Sequence, residues 1–241
     1  MANFFVEKDE FLKDPVEISG DEANHMIKVL RMKEGEGLTL FDGDGNCIDG
    51  VIDRIENKTV LVKAVKRYAS ETEPDLKITL FQGIPKNPKM DLIIQKATEL
   101  GVTRIVPVNT KRIVAKIDKD AKIERLQKIA FEAAKQCGRA YVPRVDSPVS
   151  FDEAINCMSQ MDGAIIPYEC EKDGKMSDAV NANMKTFGIL IGPEGGFEES
   201  EVKKAEEAGV KRVTLGKRIL RTETAGLIAS ALCLYIAGDM E

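Results

Sequence analysis

Short apolar runs separated by turn residues fill the first third of the chain; beyond residue 74 similar runs alternate with longer stretches of helical periodicity. NFFV at 3–6, GLTLF at 37–41, IDGVIDRI at 48–55 and TVLVKAV at 59–65 predict strands, being rich in β-branched and aromatic residues. DGDG at 42–45 predicts a hairpin turn; a calcium loop would need later oxygen ligands and a closing Glu that the spacing does not supply. One helix interrupts these strands, with Asp21 as its cap and Ala23, Ile27 and Leu30 on its apolar stripe. The polar, proline-terminated SETEP at 70–74 sets a boundary between a small β domain, 1–72, and a larger domain, 73–241.

In the larger domain the strand-like runs are ITLFQGI (78–84), TRIVPV (103–108), GAIIPY (163–168), FGILIG (187–192) and KRVTLG (211–216). Helical periodicity occupies 90–100, 119–137, 151–160 and 198–208, with Gly101, Gly138 and Gly209 as stop signals. Ser150 and Glu153 have the spacing of a capping box ahead of the third of these. Strands alternating with helices predict an α/β fold on a mostly parallel sheet.

Composition narrows the chemistry. Hydrophobic residues make up 43% and charged residues 31% of 241, with no apolar run of about 18 residues, so a soluble cytoplasmic protein without a membrane span is expected. Five scattered cysteines without C-x-x-C and a single histidine, His25, argue against a disulfide framework, a zinc site or a histidine-based triad; no metal is expected. Net charge is −5, but residues 77–144 hold 15 Lys+Arg against 6 Asp+Glu. Such a basic block in an acidic protein predicts a surface for a polyanion, because clustered cations release phosphate counterions.

Two segments carry the candidate site: IGPEGGF at 191–197 and LGKRILRTETA at 215–225. Each follows a strand, and in open α/β sheets ligands bind beyond the carboxyl ends of strands, so the two predict one shared pocket. Gly192, Gly195 and Gly196 would let a ligand approach the backbone. The spacing is neither a P-loop nor a G-x-G-x-x-G dinucleotide fingerprint.

In this order the two segments resemble the RsmE family of 16S rRNA uracil-N3 methyltransferases, of the SPOUT superfamily; HMIKVLRMKEGE, PKNPKMDLIIQKATELGVTRIVPV and EAAKQCGRAYVPRV resemble it as well. The resemblance implies a PUA-like β-barrel domain joined to an α/β domain with a C-terminal trefoil knot. It implies S-adenosylmethionine as cofactor, 16S rRNA within the small ribosomal subunit as substrate and a homodimer. The cofactor residues it implies are Pro167, Tyr168 and Glu169; Ile191, Gly192, Pro193, Glu194, Gly195 and Gly196; and Leu215, Gly216, Ile219, Leu220, Arg221, Thr222, Thr224 and Ala225. The N-terminus of a final helix starting near Thr222 would hold the methionine carboxylate, with Thr222 as a possible cap. For removal of the N3 proton Glu223 is the first candidate and Glu194 the second, with Arg221 to stabilise the uracil anion. Lys86, Lys89, Lys96, Arg112, Arg139 and Arg218, with Lys28, Arg31 and Lys33 of the small domain, are expected to contact RNA. The chain departs from the family at Asn3, where arginine is common, and at Lys217, where proline is usual. The alternative is an inactive RNA-binding or ribosome-assembly factor, which would have no need of the two glycine segments.

Overall fold

The computed structural model describes residues 2–86, 88–113, 117 and 120–240. Lys119, the expected start of the second long helix, and Asn87 of PKNPKM lie outside the described residues. The chain folds as two compact units, residues 1–73 with 134–142 and residues 74–133 with 143–241.

In the first unit β1 (Ala2–Phe5), β2 (Val16–Ile18), β3 (Gly37–Phe41), β4 (Asn46–Glu56) and β5 (Thr59–Ala69) form one sheet, in the order β1-β3-β4-β5-β2. All pairs are antiparallel except β1 beside β3. The DGDG turn forms as expected: Asp42 Oδ1 accepts the backbone N–H groups of Asp44 and Asn46 at 2.8 and 3.0 Å. Helix α1 (Lys8–Phe11) and β2 are too short to leave a periodic signal. The expected helix starts one residue before Asp21, as α2 (Gly20–Asn24), with Ser19 at its N-cap, and runs into a π-helical turn, His25–Val29. The wider turn rotates the apolar face, so Met26 is buried and Leu30, expected in the core, is 46% exposed.

Residues 134–142, which the sequence places in the larger domain, belong to the first unit. They bond to the DGDG turn: the Gly45 N–H donates to Ala140 O at 3.2 Å and the Val142 N–H to Gly43 O at 2.9 Å.

The second unit holds β6 (Lys77–Gly83), β7 (Arg104–Asn109), β8 (Arg144–Val145), β9 (Val149–Ser150), β10 (Gly163–Pro167), β11 (Thr186–Ile191) and β12 (Lys211–Val213). The order is β12-β10-β11-β6-β7-β8, with β9 beside β7, and every pair is parallel. The connecting helices are α3 (Lys89–Glu99), α4 (Asp120–Cys137, of which 134–137 belong to the first unit), α5 (Phe151–Met158), α6 (Glu199–Glu207) and α7 (Thr222–Ala237). Alternate strand residues enter two cores: Leu80, Ile165 and Ile189 pack with Ile93 of α3 and Leu234 of α7, whereas Phe81, Ile166 and Leu190 pack with Phe151 of α5 and Val202 of α6. A sheet covered on both faces needs apolar residues at successive positions, which is why these strands read as continuous hydrophobic runs. The Ser150–Glu153 capping box is present. KRVTLG becomes strand only to Val213, which leaves Thr214–Gly216 in the loop beyond.

Candidate active site

The neighbouring strands β10, β11 and β12 all deliver their carboxyl ends to one cavity of about 540 Å³. Its walls are Pro167–Glu169 after β10, Ile191–Phe197 after β11, and Thr214–Thr222 with Ala225 after β12; Lys89 of α3 completes the lining. Volume and composition suit a small organic ligand. The two glycine segments therefore meet, as the strand-end argument requires.

Loop-to-loop bonds hold the walls. Thr222 is only 6% exposed; its hydroxyl donates to Gly192 O at 2.6 Å and accepts from Gln82 Nε2 at 2.8 Å. Gln82, fully buried on β6, also donates to Gly83 O at 3.0 Å, so one amide ties the central strand to the start of α7. The glycines answer to this packing. A Cβ on Gly83 would lie 2.7 Å from the Pro193 ring, and one on Gly196, at φ +64°, would lie 2.8 Å from Glu169 Oε1. A Cβ on Gly195 would meet Arg112 Cβ at 3.1 Å, and Arg112 Nη1 donates to Gly195 O at 3.0 Å. These glycines admit other parts of the protein, a reason that GPEGG alone does not disclose.

At one wall three charges converge. Lys89 Nζ lies 3.1 Å from Glu194 Oε1 and 3.0 Å from Glu223 Oε2. The Lys86 backbone N–H donates to Glu194 Oε1 at 3.1 Å. Bonding to Glu223, joined by Glu194, outweighs desolvation and raises the pKa of the Lys89 ammonium. Burial pushes both carboxylates up, but each ends below its usual range: the backbone N–H groups and Lys89 prevail at Glu194, its own N–H, Lys89 and Arg221 at Glu223. All three groups are therefore charged at neutral pH. Burial raises the pKa of Tyr168, the Cys170 side chain adding to it.

Of the expected cofactor residues all but Thr224 line the cavity; Thr224 is exposed on the outer side of the first turn of α7. Thr222 is not the cap: Arg221 occupies that position, and the Thr222 side chain is committed to the loop bonds above. Glu194 and Arg221 line the cavity, whereas Glu223 does not; its carboxylate meets α3 through Lys89. Among the expected RNA contacts, Lys28, Arg31, Lys33, Lys86 and Arg218 are exposed. Arg139 is 5% exposed and its guanidinium is paired with Glu73 at 2.6 Å, so it supports the fold instead of facing a phosphate. Lys96 is paired with Glu99 at 2.8 Å. Sequence reasoning missed Lys89 as a cavity residue, and Gln82 altogether; a glutamine inside the apolar run ITLFQGI was the available signal for the latter.

Strand-end pocket, doubly covered parallel sheet and loop-tied final helix together define an α/β domain with a small-molecule cavity; its class follows from its likeness to known families. The model of the RNA methyltransferase domain matches residues 72–234, and that of the RNA methyltransferase PUA domain matches 18–65. The ribosomal RNA small subunit methyltransferase E of Bacillus subtilis is 35% identical over 98% of this chain and 96% of its own length. Its counterpart from Buchnera aphidicola (Acyrthosiphon pisum) is 32% identical over 100% and 96%. A crystal structure of the Neisseria gonorrhoeae ribosomal RNA small subunit methyltransferase E bound to S-adenosyl methionine is 34% identical, with a TM-score of 0.84 over 96% of both chains. The chain belongs to the ribosomal RNA small subunit methyltransferase E family.

Proposed function

We propose that this chain methylates N3 of a uridine in 16S rRNA in the cytoplasm, with S-adenosylmethionine as methyl donor, and that its C-terminal part carries the trefoil knot of SPOUT enzymes. The observation that supports this most directly is the single cavity formed by the three strand-end loops. Its residues fit the donor: glycine-bearing backbone lines two walls, and the N-terminus of α7 at Thr222, the positive end of the helix dipole, suits a carboxylate. The donor supplies an electrophilic methyl carbon; the protein has to align uracil N3 with it and take the N3 proton. Glu194 lines the cavity as a carboxylate and Glu223 does not, which favours Glu194 as proton acceptor, reversing the order expected from sequence. Arg218 and Arg221, exposed on the cavity rim, suit RNA phosphate.

Ile228, Leu232 and Tyr235 stand 41%, 37% and 66% exposed along α7, with Leu92 of α3 at 44%, an apolar face that supports a homodimer as its cover. Calorimetric titration with S-adenosylmethionine tests the cofactor, and light scattering tests the dimer. Mass spectrometry of 16S rRNA from cells lacking the protein tests the substrate: an unchanged methylation pattern would overturn the activity.

A further inference from the structure

We infer that Lys89 is the catalytic cation of this site, with its ammonium stabilising the anion that forms on the uracil oxygens, and that Glu223 is the residue that positions it. The inference rests on the reading of Glu194 as proton acceptor. Lys89 lines the cavity at the first position of α3 and lies between two carboxylates of different surroundings. Glu194 shares the cavity, while the Glu223 side chain is 14% exposed and stands outside its lining. An ammonium has three donors, so one remains for a substrate oxygen when two carboxylates flank it. A lysine held this way is a poor phosphate anchor, because it is already neutralised twice over and only 26% exposed.

This arrangement resolves an apparent conflict. A cation beside a carboxylate weakens it as a base, yet uracil N3 needs a base. As the N3 proton passes to Glu194, negative charge leaves that carboxylate and appears on uracil O2 and O4. The N3–carbon bond then forms as the methyl–sulfur bond breaks, with its electron pair remaining on sulfur. Lys89 faces an anion before and after the transfer, so the stabilisation it gave Glu194 passes to the nucleophile. Glu223 keeps its charge throughout and holds the ammonium in place, a pre-organised partner and not a reactant.

Lys89→Met, Lys89→Arg, Glu223→Gln and Glu194→Gln separate these roles, with donor affinity read by calorimetry, RNA affinity by anisotropy over a salt series, and turnover over a pH series. For Lys89→Met the expected result is a kcat loss of about 100-fold or more. Donor and RNA affinities should stay within about threefold. The acidic limb of its kcat profile should move to higher pH, since Glu194 loses the cation that holds its pKa down. Lys89→Arg should recover part of the loss, and Glu223→Gln should cost about tenfold in kcat without weakening RNA binding. The inference is overturned if Lys89→Met keeps its kcat, if donor binding is lost, or if RNA affinity falls with a salt slope reduced by about one, as for a phosphate contact. Normal turnover of Glu194→Gln would instead remove the proton-acceptor reading, an outcome distinct from any result at Lys89.

Discussion

Two basic stretches of this chain differ in a way that net charge conceals. Residues 77–144 carry the excess of cations, yet their side chains are largely paired: Lys96 with Glu99, Arg104 with Asp146, Lys111 with Glu198, Arg125 with Asp91 and Arg139 with Glu73. The segment 28–33 lies in an acidic domain, yet Lys28, Arg31 and Lys33 are exposed and have no carboxylate within ion-pair distance among the described residues. Counterion release needs a cation that is not already neutralised, so all three cations of 28–33 are available, whereas most of those in 77–144 are already occupied. Polyanion binding is better judged from unpaired exposed charge than from a count.

Arg139 gives the contrast its severest test. Its guanidinium and the Glu73 carboxylate are 6% and 10% exposed, and it also lies 5.9 Å over the Tyr141 ring. Arg139→Ala strands a buried carboxylate and is expected to cost about 3–5 kcal/mol of stability, read by chemical denaturation. The loss should be much the same with or without RNA. A folded variant of normal stability that binds RNA weakly would return Arg139 to the RNA surface.

The opposite outcome is expected for Lys28→Ala, Arg31→Ala and Lys33→Ala combined. Stability should change by no more than about 0.5 kcal/mol, as is usual for exposed positions. The salt slope of RNA binding should fall by about 2–3. Lys96→Ala on the same assay should change the slope little, because Glu99 already occupies its ammonium. Equal slopes for the two variants would erase the difference between the stretches.

What the sequence revealed follows the same division between pattern and pairing. Period-two and continuous apolar runs gave the strands, and their alternation with helices gave the parallel sheet, because burial imposes those patterns residue by residue. The glycine segments were legible as a pocket because both follow strands. The π turn at His25–Val29 was not legible, since one added residue per turn leaves a nearly helical pattern. Nor was the return of residues 134–142 to the first unit, which rests on backbone bonds to the DGDG turn and on the pairing of Lys135 with Glu22 and Arg139 with Glu73, each more than 60 positions apart. The Lys89 cluster joins residues more than 100 positions apart, and no local spacing encodes it.

Gln82 offers a smaller test of the pocket itself. Gln82→Leu removes the donor to Thr222 and Gly83 within a buried setting. A cost of about 1–3 kcal/mol is expected, with weaker binding of S-adenosylmethionine because Thr222 loses the bond that fixes its hydroxyl toward Gly192. Unchanged donor affinity would show that the Thr222–Gly192 bond alone sets the loop.

The smallest expected effect concerns an acid in the loop that follows Tyr168 and Glu169. Glu171 Oε1 accepts the N–H groups of Lys172, Asp173 and Gly174 at 2.9, 2.8 and 3.0 Å, and Oε2 pairs with Arg212 at 2.6 Å. The Asp173 and Gly174 N–H groups, aided by Lys172 and Arg212 against a desolvation cost, hold its pKa down at about 2. The folded value lies below the unfolded one, so the contribution is present above the ordinary carboxylate range and is lost as pH falls toward about 2. Amide exchange at 172–174 should therefore stay slow at neutral pH and quicken, relative to the rest of the second unit, between about 4.5 and about 2. In Glu171→Gln the amides should exchange faster at neutral pH and show no such acid transition. A loop that keeps its protection in that variant would owe its order to Gly174, where a Cβ would lie 2.4 Å from Arg212 O, and not to the carboxylate.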